Sequence, residues 1–220
     1  ETVGLLWVGL HVTPAKSKVA ESLDEYRGQF AYNLLDTNVR QLMAQTAAID
    51  DEGWWALTWI NAYDLTKDAR YLATARSVFG DMTTGWDTVC GGGIWSRAGE
   101  DLKSVRANGP ATILLTRLGN RVDLQQARAM AEWMEDNLLD ETVGLLWVGL
   151  HVNMDGEVRE MVKEAYTYTQ GVYLGACLEL AAAGDPVWAE RAERTVLAIS
   201  EHLTNNGVLR GHGGGDGGLY

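Results

Sequence analysis

Asp50-Asp51-Glu52-Gly53-Trp54-Trp55-Ala56-Leu57-Thr58-Trp59-Ile60-Asn61-Ala62-Tyr63, followed after a short polar break by Asp68-Ala69-Arg70-Tyr71-Leu72, decides how this chain folds. The first run predicts a helix over residues 51–63, rich in Trp, Leu and Ala. The second opens another helix, from Asp68 to Met82. The same two-helix pattern returns over residues 108–118 with 120–137, and over 166–183 with 185–203. Asp68, Asn120 and Asp185 each stand seven residues before an alanine (Ala75, Ala127 and Ala192), and each is a credible N-cap for the second helix of its hairpin. First helices are apolar and aromatic, while second helices carry more charge around one apolar face, which predicts an inner and an outer ring. Between hairpins, Cys90-Gly91-Gly92-Gly93-Ile94-Trp95, Gly144-Leu145-Leu146-Trp147-Val148-Gly149 and Gly207-Val208-Leu209-Arg210-Gly211 are glycine-flanked and too short for helices, so they read as extended segments.

Upstream, Thr13-Pro14 reads as an N-cap with proline at the first helical position, opening a helical stretch to about Ile49 with a weak point at Gly28. Residues 1–12, ETVGLLWVGLHV, recur unchanged as residues 141–152. The second copy has a context, since it follows a helix and enters an Asn153-Met154-Asp155-Gly156 turn, whereas the first runs abruptly into Thr13-Pro14. Residues 1–12 are therefore expected to be a duplicated or artefactual segment, and residues 13–220 a single domain. With hairpins recurring every ~60 residues, a closed ring of six would need well over ~300 residues, so this chain is expected to hold only part of one.

The sequence has 220 residues, 46% of them hydrophobic, which is enough for a sizeable core. Nine Trp and eight Tyr stand against two Phe, favouring rings with a polar handle that can stack on a partly wet ligand. A formal charge of -12, without a Lys/Arg run, argues against nucleic acid as a partner. Cys90 and Cys177 lack metal-ligand spacing, as do His11, His151, His202 and His212, so no metal or cofactor is implied. No stretch is long and apolar enough to span a membrane, and the first residues lack the basic and apolar pattern of a signal peptide, which suggests a cytosolic protein or a leader already removed.

Two adjacent carboxylates leading into a tryptophan pair are what sugar-cleaving chemistry requires. One carboxylic acid protonates the leaving oxygen, a second carboxylate attacks the anomeric carbon or activates water, and aromatic faces hold the ring. The competing reading is plain helix capping, since Asp and Glu favour any first turn. Trp54 and Trp55 diverge by about 100° on a helix, so one is expected in a cleft and the other in the core. Trp95, behind its glycines, is either a stacking platform or core, and Asn108 is a cap or a sugar ligand.

Three blocks resemble glycoside hydrolase family 76, the α-1,6-mannanase family: DDEGWWALTWINAYDLTKDARYL from Asp50 to Leu72, CGGGIW with ANGPATILLTRL over residues 90–118, and YTYTQGVYLGACLEL from Tyr166 to Leu180. GGDGGLY, from Gly214 to Tyr220, is similar to the start of the family's closing motif. The resemblance implies an all-α (α/α)6 barrel of helical hairpins, incomplete here, that cleaves α-1,6-mannan backbones by a retaining double displacement. It makes Asp50 the nucleophile and Asp51 the general acid/base. It places Trp54, Trp55, Trp95, Asn108, Tyr166, Tyr168, Gln170 and Asp216 against an α-mannan or manno-oligosaccharide substrate, with inner-ring packing as the alternative for the tyrosine motif. Secretion or the cell envelope is the implied location. Ala48-Ile49 stand where the family usually has two tyrosines, so either the match is damaged there or a cleft wall differs. Alternatives are transglycosylation on the same glycans, a glycan-binding remnant without catalysis, and a helical scaffold for protein partners.

Overall fold

The computed structural model describes residues 49–82, 85–97 and 99–210; the side chains of Ile49, Asp50 and Asp81 lie outside that description. The expectations for residues 1–12, for the helix after Thr13-Pro14, and for Asp216 with its glycine-rich surroundings lie outside the described residues. The chain divides into two units, residues 1–84 and 85–220.

In the first unit, α1 (Ile49–Thr66) and α2 (Ala69–Met82) form the anticipated hairpin. The break between them is made by Lys67, at φ 58°, and by Asp68, whose Oδ1 accepts from Arg70 N–H at 3.0 Å. Asp68 thus caps α2 as expected. The core of the hairpin comes from Ala56, Leu57, Trp59 and Ile60 of α1 and Tyr71, Ala75, Val78, Phe79 and Met82 of α2.

The second unit holds two further hairpins, α3 (Val105–Leu118) with α4 (Arg121–Leu138), and α5 (Thr167–Ala182) with α6 (Val187–His202). α3 stops at Gly119, which is left-handed, and α4 starts on Asn120, whose side chain accepts from Val122 and Asp123 N–H. The third expected cap is a correction. α6 opens at Pro186 without a side-chain cap, and Asp185 Oδ2 instead accepts from Arg128 Nε at 2.9 Å and Trp188 Nε1 at 3.2 Å, joining α4 to α6.

Eleven of the 14 residues of α3 are buried, against six of the 18 in α4; seven of the 16 in α5 are buried, against four of the 16 in α6. α3 and α5 are therefore inner helices. A Cβ on Gly109 would meet Val172 at 2.8 Å, and one on Gly175 would meet Ile113 at 3.2 Å. Contacts 109 to 172 and 113 to 175 advance together along both helices, so α3 and α5 run parallel and their N-terminal ends lie at one end of the unit.

Short strands occupy that end and fall in two of the three expected extended segments; the Cys90 to Trp95 segment instead opens as a 3-10 turn, Val89–Gly91, with Cys90 at φ 53°, and only Ile94 and Trp95 make isolated bridges. β1 (Leu102–Ser104), β4 (Gly149–Val152) and β5 (Val158–Val162) form an antiparallel sheet in the order β1-β4-β5. β2 (Leu139–Asp140) pairs with β3 (Leu145–Leu146). β6 (Thr204–Asn205) and β7 (Val208–Leu209) close on Asn206-Gly207, both at positive φ, the favoured chemistry for a two-residue hairpin turn. The fold is all-α in its framework, and these strands only tie hairpins together.

Candidate active site

Asp50 and Asp51 lie in the first turn of α1, with Asp51 exposed and Trp54 and Trp55 both half-buried. Trp55 stacks on Trp59 at 6.3 Å between centroids, and Trp59 on Tyr71 of α2 at 5.6 Å. The ladder roots Trp55 in the hairpin core. Trp54 points about 100° away around the helix.

In the second unit the structure gathers Trp95, Asn108, Tyr166, Tyr168 and Gln170 at the N-terminal end of α3 and α5. Asn108 lies inside α3, a full turn beyond its start, which corrects its reading as a cap. It is 0% exposed. Its Oδ1 accepts from Ile94 N–H at 2.8 Å, while its Nδ2 donates to the carbonyls of Ile94 at 3.1 Å and Ser104 at 2.8 Å. Gln170, also 0% exposed, does the same for the next loop. Oε1 accepts from Leu146 N–H at 2.9 Å, and Nε2 donates to the Leu146 carbonyl at 2.7 Å. Each amide thus holds the extended residue just before a tryptophan, Trp95 or Trp147. With no exposed atom, Asn108 and Gln170 set the loops rather than present a surface. Tyr166 and Tyr168 stack at 5.7 Å, with Tyr168 41% exposed.

The Trp95 loop is organised by a lysine that sequence reasoning missed. Lys103, 0% exposed, donates from Nζ to Asp87 Oδ1 at 2.6 Å and to the carbonyls of Val89 at 2.8 Å, Gly92 at 2.6 Å and Gly93 at 3.3 Å. The same Nζ lies 4.5 Å from the Trp95 ring centroid, and Trp95 Nε1 donates to Asp87 Oδ2 at 2.6 Å. Burial raises the Asp87 carboxyl, but the hydrogen bonds from Lys103 and Trp95 outweigh it and its pKa falls below the ordinary value. Gly93, at φ 83°, lets this loop cross the face of Trp133 in α4, where a Cβ would come within 2.9 Å of the ring.

A second loop repeats the plan. Lys163 Nζ lies 4.8 Å from the Trp147 ring centroid, and Asp140 Oδ1 accepts from Thr142 N–H at 3.0 Å and from Thr142 Oγ1 at 2.6 Å, which, with the Trp147 side chain and Lys163 nearby, holds its pKa low. The signal in the sequence is Gly92-Gly93-Ile94-Trp95 against Gly144-Leu145-Leu146-Trp147, each with an Asp upstream and a Lys downstream. Beside them, Asp101 bonds His151 Nδ1 at 2.7 Å and Arg159 at 2.6 Å, fastening β1, β4 and β5. The His151 hydrogen bond is the main cause of a lowered Asp101 pKa.

Comparison with known proteins gives this arrangement its context. The pattern of glycosyl hydrolase family 76 matches residues 16–213. The chain belongs to that family. It is similar to a mannan endo-1,6-alpha-mannosidase of Candida glabrata, 27% identical over 182 residues that cover 74% of this chain and 40% of that protein. This family 76 chain thus spans about two-fifths of that relative's length. Among solved structures it is similar to an α-1,6-mannanase of a Salegentibacter species, with TM-score 0.75 and 28% identity over 98% of this chain and 67% of that one. It is also similar to an inactive variant of that enzyme in complex with α-1,6-mannotetraose, in which two consecutive aspartates are replaced by alanine. There the TM-score is 0.71 and the identity 31%, over 79% of this chain and 53% of that one. The all-α hairpin fold is accordingly that of the family's (α/α)6 barrels, present here in part. No helix among the described residues is long and apolar enough to cross a membrane.

Proposed function

We propose that this chain carries the catalytic hairpin of an endo-acting α-1,6-mannanase, which hydrolyses mannan backbones by a retaining double displacement. The observation that carries the reading is the Asp50-Asp51 pair, the only two consecutive aspartates in the sequence, in the first turn of α1. The inactivating change in the mannotetraose-bound relative, at two consecutive aspartates, supports it. Asp50 attacks the anomeric carbon while Asp51 protonates the departing oxygen, then activates the water that releases the sugar. Trp54, Trp95, Tyr166 and Tyr168 supply ring faces for the glycan, with Trp55 stacked on Trp59 in the hairpin core; Asp216 is a further polar ligand, and Asn108 and Gln170 position the loops.

The test is a proton NMR time course on α-1,6-mannotetraose. Early release of the α-anomer is expected; early β-anomer release would overturn the retaining assignment. Products longer than the substrate would move the reading to transglycosylation. Asp50→Asn and Asp51→Asn should each lower turnover at least about 100-fold with an unchanged circular dichroism spectrum. Near-wild-type activity in either variant would remove that residue from the mechanism.

A further inference from the structure

The two tryptophan loops share a plan but differ in what covers the indole. Under Trp95 the lysine is fully buried and engages one carboxylate oxygen and three carbonyls, so the face it touches is permanently sealed. Over Trp147 the lysine is exposed, and Trp147 itself is only half-buried. An exposed lysine can swing aside, whereas a buried one cannot.

The Trp147 indole is nonetheless well aimed. Its backbone N–H donates to the Leu138 carbonyl at 2.8 Å, and the preceding Leu146 is clamped on both sides by Gln170. The next residue, Val148, donates to the carbonyls of Val162 at 3.1 Å and Glu164 at 2.9 Å, which draws the strand leading to Tyr166 and Tyr168 alongside Trp147. A fixed indole, a movable cation and a stacked tyrosine pair therefore share one edge of the unit. A rigid apolar face with a few adjustable polar groups around it suits a neutral pyranose, which has an apolar C–H face and a rim of hydroxyls.

We propose that Trp147 is a saccharide platform of this enzyme, stacking on one mannose ring of the bound chain, with Lys163 moving from the indole face to a sugar hydroxyl as the ring arrives. The proposal rests on the reading of the chain as mannan-acting and adds a residue to it. It also ranks the two loops, making Trp147 the adjustable platform and Trp95 the one whose face is partly spent on internal structure.

The experiment is calorimetric titration of α-1,6-mannotetraose into the wild-type chain and into Trp147→Ala, Trp147→Phe and Tyr168→Ala. In parallel, indole N–H resonances are followed by NMR, that of Trp147 being assigned by its loss in Trp147→Phe. Trp147→Ala should weaken binding at least about tenfold, Trp147→Phe should recover most of it, and the Trp147 resonance should shift on titration of the wild type. Binding weakened by Tyr168→Ala but unchanged by Trp147→Ala overturns this proposal and leaves the mannanase reading intact. An unshifted Trp147 resonance at saturation overturns it even if Trp147→Ala fails to fold. Absence of binding and of turnover in the wild type sinks both.

Discussion

Lys103 shows how much one residue can organise. Its ammonium has three N–H donors, and four acceptors lie within 3.3 Å, so the Val89 to Gly93 turn is wound around a charge that has left water. A buried cation is costly unless paired and fully hydrogen-bonded, and here both conditions are met. Lys103→Met keeps the length and apolar stem but orphans three carbonyls and the Asp87 contact, and should destabilise by about 3 kcal/mol in urea unfolding. Lys103→Arg should not rescue it, because a planar guanidinium cannot meet acceptors arrayed around a point. A loss below about 1 kcal/mol in Lys103→Met would mean the loop holds its shape without the charge. None of this was legible in Asp101-Leu102-Lys103-Ser104, which reads as ordinary polar surface. The partners lie 10 to 16 residues upstream, and only tertiary structure brings them together.

Between elements, two side-chain amides do what a neighbouring strand would otherwise do. Asn108 and Gln170 each pair with both the N–H and the carbonyl of one loop residue, and each stands on an inner helix. Asn108→Ala would leave the buried N–H and carbonyl of Ile94 unpaired at a cost of about 2 kcal/mol or more, read by thermal unfolding. Asn108→Asp should fail to restore it, since a carboxylate cannot donate to the Ile94 and Ser104 carbonyls. Equal stability of Asn108→Ala and wild type would show that water takes over. Strand β4 makes a second element-level demand. A Cβ on Gly149 would sit 2.4 Å from the Lys103 carbonyl across the ladder, so Gly149→Ala must push β4 off β1, at about 3 kcal/mol. Hairpins were readable because the apolar period, Gly119 and Asn120 all act locally. Asp185 was misread because its nearest helix start competes with Arg128, 57 residues away, and the ion pair won. The Val158–Val162 strand, with three exposed residues at its start, offers no clean alternation, so it emerges only through pairing with β4.

At the scale of the whole molecule, charge pulls stability in two directions as pH falls. With a formal charge of -12 at neutral pH, partial protonation of exposed carboxylates relieves self-repulsion on the way down toward pH 5. Asp87, Asp101 and Asp140 act oppositely, because each is lowered below the ordinary carboxyl value by bonds made only in the folded chain. A depressed folded pKa contributes stability that is fully present above the unfolded value, about 3.9 for Asp, and is lost as pH drops through the folded value. All three lie in the connecting segments of the second unit, where they hold Trp95, His151 and Thr142. The melting temperature should therefore hold or rise slightly from pH 7 to 5 and fall steeply below about 4. Replacing all three by Asn should lower stability at pH 7 and flatten the acid limb, since the variant has less to lose there. An acid limb as steep as the wild type's would assign acid unfolding to other carboxylates. A triple variant as stable as wild type at pH 7 would show that these loops are held by their backbone and amide bonds alone.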